Sequence, residues 1–129
     1  MQTNAARGKP KAKATDLSVS LKDEGATTLA TAYTNFTSIL KTKILGQKTA
    51  SVCLANSHAT AAVNYKVLVS NDPEGASASY VEEKASAAVS AMAGAAHVIN
   101  GPFAWVDVQI QSVGADSPQS SVWLLAVDT

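Results

Sequence analysis

Apolar residues fall at every second position in several short runs of this chain, and Gly or Pro stands between the runs. A repeat of two is the side-chain period of a β-strand; a helix repeats at 3.6. In VNYKVLVSND, Val63, Tyr65, Val67 and Val69 face one way. Asn64, Lys66 and Ser70 face the other, with Leu68 as the exception. The run stops at NDPEG (71–75), where Asp, Pro and Gly together specify a turn. KTASVCLAN places Ala50, Val52 and Leu54 on one side and turns at Asn56-Ser57-His58. These two runs are expected to pair as an antiparallel hairpin.

The pattern continues downstream. In GPFAWVDVQIQSVG, Ala104, Val106, Val108 and Ile110 form a core face opposite Phe103, Trp105, Asp107, Gln109 and Gln111. SVWLLAV is apolar on both faces, which predicts a central or covered strand. Upstream, FTSILKTKIL and DLSVSL read as strands. The segment SYVEEKASAAVSAMAGAAHVI is ambiguous, because Glu, Lys and Ala favour a helix. The surrounding rhythm of short strands favours sheet there, with a turn at Gly94 and a possible short helix around 80–93. No proline interrupts a run. The expected fold class is all-β: an antiparallel β-sandwich or barrel-like fold of six to eight short strands. One domain is expected over 16–129, preceded by a flexible basic arm over 1–15.

Composition sets the size of the core and the charge of the arm. The chain is 47% hydrophobic, but 24 residues of its 129 are Ala, which bury little area. The core is therefore modest, and association would add burial. Ten basic and ten acidic residues give zero net charge, yet Arg7, Lys9, Lys11 and Lys13 all precede the first acid, Asp16. Four charges without an aromatic among them read as a solvated tail, so a nucleic-acid partner is not expected. No secretion signal is recognised at the N-terminus, and no apolar run reaches the roughly 20 residues of a membrane helix. Neither a membrane nor a secretory route is expected.

No residue set specifies a reaction. His58, His97 and Cys53 lack zinc-ligand spacing, and no fourth ligand joins them. The single cysteine lies in an apolar run and reads as a small core residue. No nucleophile elbow and no phosphate-binding loop occurs. Asp72 and Glu74 in the NDPEG turn are too few oxygen ligands for calcium. We expect no catalytic residues, no metal and no cofactor. The remaining feature is a half-polar face that opens with two large aromatics. Phe103, Trp105, Asp107 and Gln109 are the candidate interface residues, with Arg7, Lys9, Lys11 and Lys13 of the arm. The alternative is that Trp105 packs under a loop of its own domain.

The succession VCLANSHATAAVNYKVLVSND, VINGPFAWVDVQIQSV, a polar loop and a last apolar strand resembles small all-β virion structural proteins of tailed phages. The similarity spans about residues 37–127 and consists of strand types with a few matching letters. It implies a non-enzymatic capsid decoration (cement) protein, assembled in the host cytoplasm and located in the virion. Its partners would be the major capsid protein or other virion proteins, with a homo-oligomer, a trimer by preference. A tail, neck or fibre accessory module and a carbohydrate-binding β-sandwich are the alternatives.

Overall fold

The computed structural model describes residues 22–27, 33–45 and 47–127. The basic arm and the run DLSVSL lie outside the described residues. The strands are β1 (Lys22–Thr27), β2 (Thr37–Lys43), β3 (Thr49–Asn56), β4 (Val63–Ser70), β5 (Val81–Val89), β6 (Gly94–Asn100), β7 (Trp105–Ser112) and β8 (Ser120–Val127). They form two four-stranded sheets, in the orders β1-β8-β3-β6 and β2-β7-β4-β5. Every pairing is antiparallel. Of the consecutive strands, only β4 and β5 are neighbours in a sheet; every other connection crosses from one sheet to the other. This strand order is that of a jelly roll, a sandwich of two Greek keys.

The alternating runs supply the core. Val63, Tyr65, Val67 and Val69 of β4 point inward beside Val106, Val108 and Ile110 of β7. They meet Val52 and Leu54 of β3 and Val122, Leu124 and Ala126 of β8 from the facing sheet. β-branched side chains dominate because they pack well on a pleated surface and lose little freedom there. The strand richest in buried residues, β4, is flanked by β7 and β5, and β3, β7 and β8 are likewise flanked on both sides.

Two expectations are corrected and one open choice is decided. The runs at β3 and β4 are not a hairpin, because β3 pairs with β6 and β8 while β4 pairs with β5 and β7. Residues 57–62 instead carry the chain between the two layers, which lie about 10 Å apart in such sandwiches. The segment 80–93 follows the favoured sheet reading and not the alternative short helix: β5 covers Val81–Val89, and the one helical turn described is a 3-10 turn at Ser77–Ser79. The β5–β6 reversal occupies residues 90–93, with Met92 in the left-handed region at φ 58°, and Gly94 already belongs to β6. Alternation in the β5 region is weak, with only Val89 buried. As an edge strand, β5 has little core to cover.

Asn56 joins the layers at one end of the sandwich. Its side chain is buried at the last position of β3. The amide Nδ2 donates to the carbonyls of Ala61 (3.0 Å), Val89 (3.1 Å) and Ser90 (3.2 Å), and Oδ1 accepts from the His58 N–H at 3.1 Å. His58 in turn accepts from the backbone N–H groups of Thr60 and Ala61 at Nδ1. His97, on β6, meets Glu83 Oε1 of β5 at 2.6 Å, tying the two edge strands of opposite sheets.

Candidate functional site

The two sheets present unlike outer faces. On the β1-β8-β3-β6 sheet, register sets Ala96, Cys53 and Trp123 in one row across β6, β3 and β8. Val98, Ser51 and Leu125 form the next row. Trp123 is 49% exposed, Leu125 48% and Val98 57%, and Cys53 is exposed among them. Small Ser51 between Val98 and Leu125 leaves a shallow groove that Thr49 and Val127 extend. Gly25 of β1 lies opposite Trp123, and its missing side chain lets the indole lie over the edge strand. Among the described side chains of this face none carries a charge.

The sequence marks β8 as apolar on both faces and so as central or covered. It is central, between β1 and β3, but among the described residues nothing covers its outer face. Cys53, expected in the core, points outward, because Val52 and Leu54 take the inward positions.

The outer face of the β2-β7-β4-β5 sheet is polar and concave. Two rows cross β2, β7 and β4: Lys41, Asp107 and Leu68, then Ser38, Gln109 and Lys66. They floor a concavity of about 440 Å³, which Ser77 and Tyr80 wall on one side. Asp107 is 5% exposed. Its carboxylate accepts from the Ser38 hydroxyl and from Gln109 Nε2 at 2.8 Å. Lys41 Nζ stands 4.9 Å from the Tyr80 ring centre, a cation–π distance. Lys66 lies over Phe36 at 4.5 Å and 3.7 Å from Glu82, a half-exposed pair that stabilises little. Burial, then the carboxylates of Asp107 and Asp72, push the Tyr80 hydroxyl above its ordinary pKa, so it stays protonated at neutral pH.

The wall is held by the NDPEG turn. Asp72 accepts from the N–H groups of Glu74 and Ala76, and its carbonyl accepts from Gly75 N–H. These backbone donors occupy the Asp72 carboxylate, and no group of three or more His, Cys, Asp or Glu among the described residues could hold a metal. Trp105 donates from Nε1 to the Pro73 carbonyl at 3.0 Å. A Cβ on Gly75 would sit 2.8 Å from the Trp105 ring, at a φ of +67°. The loop therefore lies directly on the indole. Replacing Gly75 by Ala should lift it, costing about 1–3 kcal/mol in urea melts and raising the solvent exposure of Trp105.

Of the residues expected at an interface, β7 carries Trp105, Asp107 and Gln109 on this second face. Trp105 is half-buried under its own turn, and half-buried Phe103 packs against the core. Asp107 and Gln109 join in the floor of the concavity. Arg7, Lys9, Lys11 and Lys13 lie outside the described residues. Sequence reasoning missed Trp123, Leu125 and Val98 as a surface. The signal was present in SVWLLAV, whose second apolar face needs a cover that the strand's own sandwich cannot supply.

No family model and no curated protein matches the chain. Solved structures share its fold. A protein of Bacillus endospore appendages, described as disulfide-linked pili, aligns with a TM-score of 0.53 and 16% identity. That alignment covers 97% of this chain and 96% of the other. PirA aligns at 0.52 with 10% identity, over 82% of this chain and 92% of its own. The SPBc2 prophage-derived protein YomS aligns at 0.49 with 7% identity, over 83% and 94%. At these identities the first two likenesses are of fold alone, which many functions share.

Proposed function

We propose that this protein is a non-enzymatic structural subunit of a larger particle, in its most specific form a capsid decoration protein of a phage-like virion. The observation that carries the reading is the uncharged outer face of β8, β3 and β6, with Trp123, Leu125 and Val98 half exposed on one surface. Large side chains left in water on a flat sheet face favour association. Among the described side chains of β8, β3 and β6 none is charged, so a second copy can meet this part of the face without burying an unpaired ion. The strand succession that resembles tailed-phage virion proteins supports the decoration role.

In this reading the face of β8 joins copies of the chain into a closed homo-oligomer, a trimer by preference. The arm, with Arg7, Lys9, Lys11 and Lys13, reaches the major capsid protein. The main contact is placed on β8 rather than β7, because Trp105 and Phe103 already pack within their own domain.

A filament subunit is the second reading, favoured by the near-complete alignment in both directions with an appendage protein. A single cysteine limits that reading. One thiol per chain can close one intersubunit disulfide, which pairs two copies and cannot propagate. Cohesion here would be non-covalent. Negative-stain images of the purified full chain test both readings. Small closed rings support decoration, and long filaments support the appendage reading. A dispersed monomer at every concentration overturns both.

A further inference from the structure

We infer that the concavity over β2, β7 and β4 binds a neutral pyranose ring of a glycan. The inference does not rest on the assembly reading, since the apolar face belongs to the other sheet.

The argument begins with Asp107. Its carboxylate accepts one hydrogen bond from the Ser38 hydroxyl and one from the Gln109 side-chain amide. Both side chains are thereby fixed, and both keep an oxygen able to accept from a ligand hydroxyl. Lys41 and Lys66 border the same floor and supply ammonium donors. Donors and acceptors a few ångströms apart match vicinal hydroxyls, each of which donates and accepts. Leu68 and Tyr80 add the apolar surface against which the C–H face of a sugar ring packs.

Charge selects the ligand further. The two lysines are offset by Asp107 on the floor and by Glu82, which lies 3.7 Å from Lys66. A phosphate or carboxylate would meet the buried Asp107 charge as well as the lysines, and a neutral ligand avoids that repulsion. The volume, about 440 Å³, is that of a small-ligand site. The site is also built in advance. Its floor is three hydrogen-bonded strands, and its wall, Ser77 and Tyr80, follows a turn pinned by Asp72 and seated on Trp105.

The test is a titration of the isotope-labelled full chain followed by amide chemical shifts. The probes are the methyl glycosides of glucose, galactose and mannose, and N-acetylglucosamine, with sorbitol and sodium phosphate as controls. At least one pyranose should shift the amides of Ser38, Lys41, Lys66 and Gln109 saturably. Lys41→Ala and Gln109→Ala should each weaken that sugar about tenfold, the factor expected for losing one charge-assisted or well-placed hydrogen bond. Lys41 is exposed on an edge strand, so its variant keeps the folded spectrum. No saturable shift at those amides with any of the four sugars overturns the inference. So does an equal response to sorbitol, or saturable binding of phosphate in place of the sugars.

Discussion

Replacing Asn56 by Ala is expected to lower the stability of the chain by about 3 kcal/mol in urea unfolding, with the midpoint moving and the slope unchanged. The side chain is buried and donates to three backbone carbonyls, those of Ala61, Val89 and Ser90. Two of these lie at the end of β5, in the sheet opposite Asn56. Truncation strips their donor and opens a small void where two layers meet. Asn56→Asp should cost more at neutral pH, because the oxygen replacing Nδ2 would face three carbonyl oxygens, with the His58 N–H as the remaining donor to the ionised carboxylate. That environment raises the folded-state pKa of the new carboxyl above its unfolded value. The extra loss is then full at high pH and fades as pH falls through the folded value toward the unfolded one. An Asn56→Ala variant as stable as the parent would show that the layers are not tied at this point.

The second large effect separates two neighbours on one strand. Leu124 is fully buried between the sheets, and Leu125 beside it is half exposed on the outer face. Leu124→Ala should cost about 2–5 kcal/mol, since β8 sits at the centre of its sheet and the cavity cannot collapse. Leu125→Ala should change the unfolding free energy of the isolated chain by less than about 1 kcal/mol. Its effect should fall on association instead. Equal losses in urea for both variants would mean that the outer face is covered within the chain itself.

Where alternation is strong, the fold could be read from the sequence. β3, β4 and β7 follow their apolar runs, and their inward faces are the residues the period selects. Alternation says which way side chains point but not which strand lies alongside. That is why β3 and β4, adjacent in sequence, were expected to pair and instead lie in different layers. A jelly roll is built from such crossings, and partners distant in sequence leave no local mark. β1, KDEGAT, has no apolar repeat at all; it is held by its pairing with β8 along the edge. Gly94 attracts the β5–β6 turn in the sequence, since Gly tolerates a left-handed backbone, but the chain uses Met92 for it.

The candidate surfaces were legible in part. The run FAWVDVQIQSV drew attention to Asp107 and Gln109, and both stand in the concavity. Their companions Ser38, Lys41 and Lys66 come from other strands and gather only through register. Trp105 stood between two readings, a neighbour's cover or its own loop, and the hydrogen bond to Pro73 supplies the loop. The exposed aromatic is the other tryptophan.

The solution mass of the full chain, measured by light scattering for the parent and for Trp123→Glu, tests the central claim most directly. The parent should weigh a small multiple of 13.2 kDa. The variant, with an unpaired charge set in the apolar face, should weigh 13.2 kDa and keep the far-ultraviolet signature of the parent. A parent that stays at 13.2 kDa across the accessible concentration range, or a variant that associates as the parent does, would contradict it.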